Sequence, residues 1–397
     1  MYPKFRILCL FLIIGGILHG QNSVKKGKVQ DSVLVSGTTD QTFALYLPES
    51  YNQNQLNSIV FIFEPAGRGV IGVRPFISAS EKYGHVLVCS NNAKNGPYER
   101  NFDIANKLFN HIFSNFNIKE SEMYLSGFSG GSRLASSIAS LTNKFAGVIG
   151  CGAGFSYSHE QMPAAHQYSY VGLCGDRDMN YREMLENKDY LKLIKFNSTL
   201  ITYDGEHRWP PPEQILRAFE WLQLQKLKKE DSATDKILHQ YHADHTLFRQ
   251  FKKNQTLLFA SEQSERMLQD YKGFIEIDSL VKQHKQLQKS RAYKKQVASL
   301  DAALKTEVKL ASKLQSQLSE DFAHPHKVNF SWWQKEFSKL DALRKNEDQE
   351  VQKMAFRVKF DLFARIYSRK NNLMYTQNEE LTVLVNRFMD LLRASSN

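Results

Sequence analysis

Glycine and proline all but disappear from this chain after residue 230. Of 21 glycines only Gly273 lies beyond that point, and of 10 prolines only Pro325 does. A stretch with so little turn chemistry cannot thread many strands, so residues 231–397 are expected to be all-helical. Cysteine is scarce as well, with four in 397 residues. Cys9 sits in an N-terminal apolar run. The odd remainder, Cys89, Cys151 and Cys174, cannot pair completely within one chain and reads as buried small hydrophobes, although a Cys151–Cys174 bridge stays open. No Cys/His spacing suggests a zinc site, and no cofactor motif is present. Long apolar runs are missing too. Ile7–Leu18 falls short of the roughly 20 residues that span a bilayer. With Lys4 and Arg6 before it and Gly20 after it, the segment 1–20 reads as a signal peptide, so export to a periplasm or the medium without a stable membrane anchor is expected. Leu18 fits the small-residue cleavage pattern poorly, so the cut itself is not defined.

Charge is unbalanced but dispersed. The net charge is +11, and residues 231–397 hold 28 Lys+Arg against 21 Asp+Glu in mixed order. That is the count expected of solvated helix faces. Nucleic-acid binding would rest on charge alone and is not expected.

Residues 33–230 alternate short apolar runs with helical patterns. Ser32–Val35 and Thr42–Leu47 read as an antiparallel pair. Ser58–Phe63, His85–Cys89, Met123–Ser126, Ala146–Cys151, Tyr170–Cys174 and Thr199–Tyr203 read as strands. Helical patterns lie at 73–83, 100–116, 132–141, 181–194 and 212–228. Continuous apolar strands alternating with helices indicate an α/β fold with a mostly parallel sheet covered on both faces, which carries its chemistry at the carboxyl ends of the strands.

Three pieces stand at such ends. Gly127-Phe128-Ser129-Gly130-Gly131 matches G-x-S-x-G between a strand and a helix, the context in which that turn exposes a serine hydroxyl. A glycine-rich phosphate-binding turn is the alternative. Gly175-Asp176-Arg177-Asp178 follows the strand at 170–174, and Gly205-Glu206-His207-Arg208-Trp209-Pro210 follows the strand at 199–203. A serine nucleophile needs a base, and the base an orienting acid, in the chain order Ser, acid, His. Ser129 and His207 fill two of these roles. Asp178 is preferred to Asp176 as the acid because it lies farther into its loop, and Asp204 belongs to the strand end.

These motifs resemble the α/β-hydrolases, in particular exported esterases and dienelactone-hydrolase-like proteins. G-F-S-G-G, G-D-R-D and G-E-H-R-W-P carry the likeness over about half of the chain. The resemblance implies a serine hydrolase acting on a small-molecule or polymer ester, with Ser129 as nucleophile, Asp178 as acid and His207 as base. The sequence departs from the family's His-Gly-Gly-Gly stretch, having Phe63-Glu64-Pro65-Ala66-Gly67-Arg68-Gly69 instead. Ala66 or Gly67 would then give one oxyanion-hole N–H and Gly130 the other. Glu64 resembles a glutamate found after the same strand in dienelactone-hydrolase-like proteins, and Arg68 is a candidate for gripping an anionic group. Phe128, Phe155, Tyr157, Tyr181 and Trp209 are candidates for an apolar acyl pocket, framed by Asn91–Pro97 and Phe155–His159.

In the tail, Val297, Leu300, Leu304, Val308, Ala311, Leu314 and Leu318 form one apolar stripe, and Leu381, Leu384, Val385, Phe388, Leu391 and Leu392 another. Stabilisation, a lid over the hydrolase part, or a surface for a protein partner would each suit such helices. A serine peptidase on the same fold, and a non-catalytic platform for the tail, are the competing functions.

Overall fold

A computed structural model of the chain describes residues 25–156, 158–164, 168–230, 234–373 and 378–394. The signal-like segment and Tyr157 lie outside the described residues. Eight strands form one sheet: β1 (Val29–Leu34), β2 (Thr42–Tyr46), β3 (Asn57–Phe63), β4 (Val86–Ser90), β5 (Ile118–Phe128), β6 (Gly147–Cys151), β7 (Ser169–Gly175) and β8 (Ser198–Tyr203). Their order is β1-β2-β4-β3-β5-β6-β7-β8. The first two strands run antiparallel to their neighbours, and the six from β3 onward are mutually parallel. This is the mostly parallel sheet, covered on both faces, that the alternation of strands and helices predicts.

The alternation along β3 explains its two-sided cover. Ile59, Phe61 and Phe63 face one apolar layer, while Val60 and Ile62 face the other. The first layer is built with α3 (Tyr98–Asn115) and α4 (Gly130–Thr142), the second with α2 (Ile77–Tyr83), preceded by the short α1 (Gly69–Val73), and with α6 (Pro212–Leu227). Helix α5 (Tyr181–Leu193) connects β7 to β8. Cys89, Cys151 and Cys174 are all buried and unpaired, within strands β4, β6 and β7.

Past residue 230 the described chain forms helices α7 (Thr234–Lys253), α8 (Leu257–Tyr271), α9 (Asp278–Lys289), α10 (Arg291–Ala323), α11 (Phe330–Leu343), α12 (Gln349–Leu373) and α13 (Glu379–Ala394). They build two apolar cores. Helices α7 to α9 close on Leu224 and Leu227 of α6, and α10 to α13 close around Trp333, Phe337 and Phe388. The stripe on α10 is shared out rather than continuous. Leu314 and Leu318 enter the second helical core, whereas Leu300 and Leu304 pack on Cys174, Tyr181, Met184 and Leu200 beside the sheet.

Among the contacts that fasten the helices to the sheet, polar ones at two places stand out. Strand β8 is an edge, with one row of backbone groups unpaired. Helix α8 covers it: Thr202 donates its N–H and hydroxyl to the Glu262 carboxylate at 2.9 and 2.6 Å, and Arg266 donates to the Leu200 carbonyl at 3.1 Å. The second place is the loop after β7. There Arg357 of α12, fully buried, donates to the Asp176 carbonyl at 2.7 Å while paired with Glu307 of α10 at 2.5 Å. No helix among the described residues is long and apolar enough to cross a membrane.

Candidate active site

The turn from β5 into α4 puts Ser129 in the left-handed region, at φ 53° and ψ −119°, where a side chain is strained. Its backbone is pinned there, with the N–H donating to the Cys151 carbonyl at 2.8 Å. Its glycine neighbours are needed for space. A Cβ on Gly127 would stand 2.2 Å from the Gly131 carbonyl oxygen, and one on Gly131 would stand 2.0 Å from that of Phe63. Strand and helix can approach this closely only with glycine at both positions.

Three strand ends then converge. His207, in the loop after β8, sets Nε2 3.0 Å from the Ser129 hydroxyl oxygen. Its Nδ1 lies 2.8 and 2.9 Å from the two oxygens of Asp178. With the Nδ1 proton held by that carboxylate, Nε2 is left as an acceptor facing the hydroxyl. Asp178 is buried, and its Oδ1 also accepts from the Asn180 N–H at 2.8 Å. Asp176 points elsewhere: its carboxylate pairs with Lys353 of α12 at 2.9 Å. Burial works to lower the Lys353 pKa, but the Asp176 and Glu350 carboxylates outweigh it and the ammonium is held above its ordinary range.

The loop after β3 departs from expectation. Glu64, almost wholly buried, folds its carboxylate back under its own loop. One oxygen accepts from the Ala66 N–H at 2.7 Å and the Arg68 N–H at 3.0 Å, and the other from the Arg68 guanidinium at 2.6 Å. The Gly67 N–H donates to the Glu64 carbonyl at 3.0 Å, and Pro65 has no N–H. Ala66 and Gly67 are therefore engaged and face no oxyanion. The Gly130 N–H, first in α4, has no acceptor among the described residues. Arg68 is tied to Glu64 while its side chain remains largely exposed.

Of the aromatic candidates, Phe128 lies against His207 and Trp209, with ring centroids 4.7 and 5.4 Å apart. Trp209 leans on Phe76 at 5.8 Å, and its buried indole N–H has no partner among the described residues. Phe155 is not a pocket residue: it is buried, with its ring tilted against that of Tyr170 at 4.8 Å. Tyr181 is buried beneath the Arg357 guanidinium. A cavity of about 290 Å³ opens beside Ser129 and Gly130, with Glu64, Asn95, Tyr98, Arg133 and Asn180 on its walls. Arg133 forms a forked pair with Glu183, at 2.7 and 2.6 Å.

Sequence reasoning missed what α12 contributes. Phe360 packs on the His207 ring at 5.8 Å and continues a row of rings through Phe356, Phe363 and Tyr367 along one helix face. Their spacing of three and four was legible, but nothing local aims the row at a histidine far upstream. Among the described residues no group of three or more His, Cys, Asp or Glu side chains converges as a metal site would require.

No family model matches the sequence, and no curated protein does. Solved structures do. An S-formylglutathione hydrolase from Staphylococcus aureus is 16% identical, covering 50% of this chain and 98% of its own, at a TM-score of 0.40. Esterase 2 of Thermogutta terrifontis is 11% identical over 52% of this chain and 97% of its own, at a TM-score of 0.41. The feruloyl esterase module from Clostridium thermocellum is 13% identical over 46% and 83%, at a TM-score of 0.40. Each match takes in about half of this chain, and the chemistry of the site is read from its own residues.

Proposed function

We propose that the protein is a serine hydrolase that cleaves a carboxylic ester through an acyl-enzyme intermediate. One observation carries the reading: the Ser129 hydroxyl, the His207 imidazole and the Asp178 carboxylate form an unbroken hydrogen-bonded line, 3.0 Å at the first link and 2.8 Å at the second.

Ser129 Oγ attacks the ester carbonyl and passes its proton to His207 Nε2. The carbonyl π electrons move to oxygen. Asp178 holds the imidazole in the required tautomer and stabilises the cation that forms. Collapse of the tetrahedral species expels the alkoxide, which takes the proton from His207. Water, deprotonated by the same nitrogen, then releases the acid and restores Ser129. Phe128 and Phe360 both pack against the His207 ring and limit its turning, and each such aromatic contact is worth about 0.5–1.5 kcal/mol. The helical region thereby supports the catalytic histidine through Phe360. Lys4, Arg6 and the apolar run Ile7–Leu18 support export of the protein.

A fluorophosphonate probe should label the wild-type protein, and Ser129→Ala should abolish labelling. Labelling that survives the substitution overturns the assignment. A panel of p-nitrophenyl esters and p-nitroanilides separates esterase from peptidase, with turnover of the esters expected.

A further inference from the structure

An acyl-transfer site needs two donors aimed at the oxygen on which charge develops. With Ala66 and Gly67 turned to Glu64 and Pro65 without a proton, the loop after β3 offers no backbone donor, and the Gly130 N–H stands alone. We propose that the side-chain amide of Asn95 is the second oxyanion donor. This inference rests on the serine-hydrolase reading above and adds a residue to it.

Asn95 lies in the loop between β4 and α3, on the wall of the cavity shared by Ser129 and Gly130. Its amide is seated directly over Gly130. A Cβ built on that glycine would meet Asn95 Oδ1 at 1.9 Å, Cγ at 2.8 Å and Nδ2 at 3.3 Å. Glycine after the nucleophile thus makes room for this amide, a need distinct from the tight packing that requires Gly127 and Gly131.

The backbone beneath the amide is held on both sides. The Asn95 N–H donates to the Pro65 carbonyl at 2.8 Å. The Lys94 carbonyl accepts from Arg100 Nη2 and from Asn101 Nδ2, both at 2.9 Å. The side chain carried on this clamped loop has no hydrogen-bond partner among the described residues, so either end of the amide is free to turn toward the site. Asn95 is exposed and its Oδ1 stands nearer Gly130 than Nδ2 does, so the amide turns over on its fixed backbone to present Nδ2 to the oxyanion. As Ser129 Oγ bonds to the carbonyl carbon, the carbonyl oxygen takes up the π electrons. Asn95 Nδ2 and the Gly130 N–H then donate to it, and no proton leaves either group.

The test compares Asn95→Ala and Asn95→Asp with wild type by steady-state kinetics on a p-nitrophenyl ester, fluorophosphonate labelling rate and thermal melting. Asn95→Ala should lower kcat by about 10²–10³-fold, the range for loss of one oxyanion donor, with KM within about twofold. Asn95→Asp, which sets a carboxylate against the developing charge, should be at least as slow. Labelling should slow in parallel, and the melting temperature should hold, because the amide has no hydrogen-bond partner among the described residues. If Asn95→Ala keeps kcat within about threefold of wild type, or raises KM at unchanged kcat, the inference is overturned while the serine-hydrolase reading stands. A wild-type protein that takes no label and turns over no ester overturns both.

Discussion

Arg357 offers a sharp test of how the helical region is held to the sheet. Its side chain is wholly out of solvent and Glu307 is 7% exposed; the guanidinium meets that carboxylate through Nε at 3.0 Å and Nη2 at 2.5 Å, and reaches the Asp176 carbonyl through Nη1 at 2.7 Å. Arg357→Met removes the cation and keeps much of the bulk. It strands a carboxylate that has no other partner among the described residues, so the expected loss is about 3–5 kcal/mol. Arg357→Met with Glu307→Leu strands only the Asp176 carbonyl, and the loss should shrink to about 1–2 kcal/mol. The double variant should therefore be roughly 2–3 kcal/mol more stable than Arg357→Met alone. Urea titration followed by tryptophan fluorescence and far-ultraviolet circular dichroism gives midpoints and slopes for each protein. If the single variant unfolds within about 1 kcal/mol of wild type, or the double variant is no better than the single, the pair is not the fastening argued for here.

Asp178→Asn should lower kcat by about 10⁴-fold through the wrong His207 tautomer, whereas Asp176→Asn should leave kcat within a few-fold and lower stability by loosening Lys353; one kinetic and one melting series on both variants decides between the two carboxylates. His85, packed among Tyr124 and Phe219 at 5.3 and 4.9 Å, has its pKa lowered by burial to about 4. Above pH 6.5 the imidazole is neutral in both folded and unfolded chains. Below it only the unfolded chain takes the proton, so stability falls between pH 6.5 and about 4, by about 3 kcal/mol in all. His85→Gln should flatten that part of the pH–stability curve, and an unchanged slope would tell against a neutral buried imidazole. Gly127→Ala drives a methyl group to 2.2 Å from a main-chain oxygen that cannot swing away, so soluble yield and fluorophosphonate labelling should both collapse; normal labelling would contradict the packing described.

The sheet was legible because buried parallel strands print themselves as apolar runs. Ser32–Val35 reads as the first strand, but β1 runs Val29–Leu34, with a largely polar start, and β5 departs in the same way. Strand β5 begins at Ile118, not at Met123, and its first half, Ile118-Lys119-Glu120-Ser121-Glu122, is polar because it projects past the sheet's cover, with Lys119 and Glu120 in reach of water. Ser129, Asp178 and His207 could be named since each follows a strand that ends at the same edge. Rejecting Asp176 rested on loop position alone, and the structure supplies the physical reason: its N–H completes the sheet by donating to the Tyr203 carbonyl, and its carboxylate is spent on Lys353. Counting backbone N–H groups at Ala66 and Gly67 failed because nothing in a linear reading shows that Glu64 will curl onto them. Phe360 and Arg357 were invisible for a different reason. Their helix has an ordinary amphipathic pattern, and only the packed structure decides which neighbour it meets.

The cover on β8 also sets an order of events during synthesis. Residues 198–203 leave the ribosome well before Glu262 and Arg266 of α8, which will satisfy them. For that interval a nearly finished sheet carries a bare hydrogen-bonding rim, open to the same rim on another nascent chain. The late helices end this exposure from within the same polypeptide, at a local concentration no separate protein could match. In the folded chain the tail covers a strand edge that would otherwise be open to pairing with another chain.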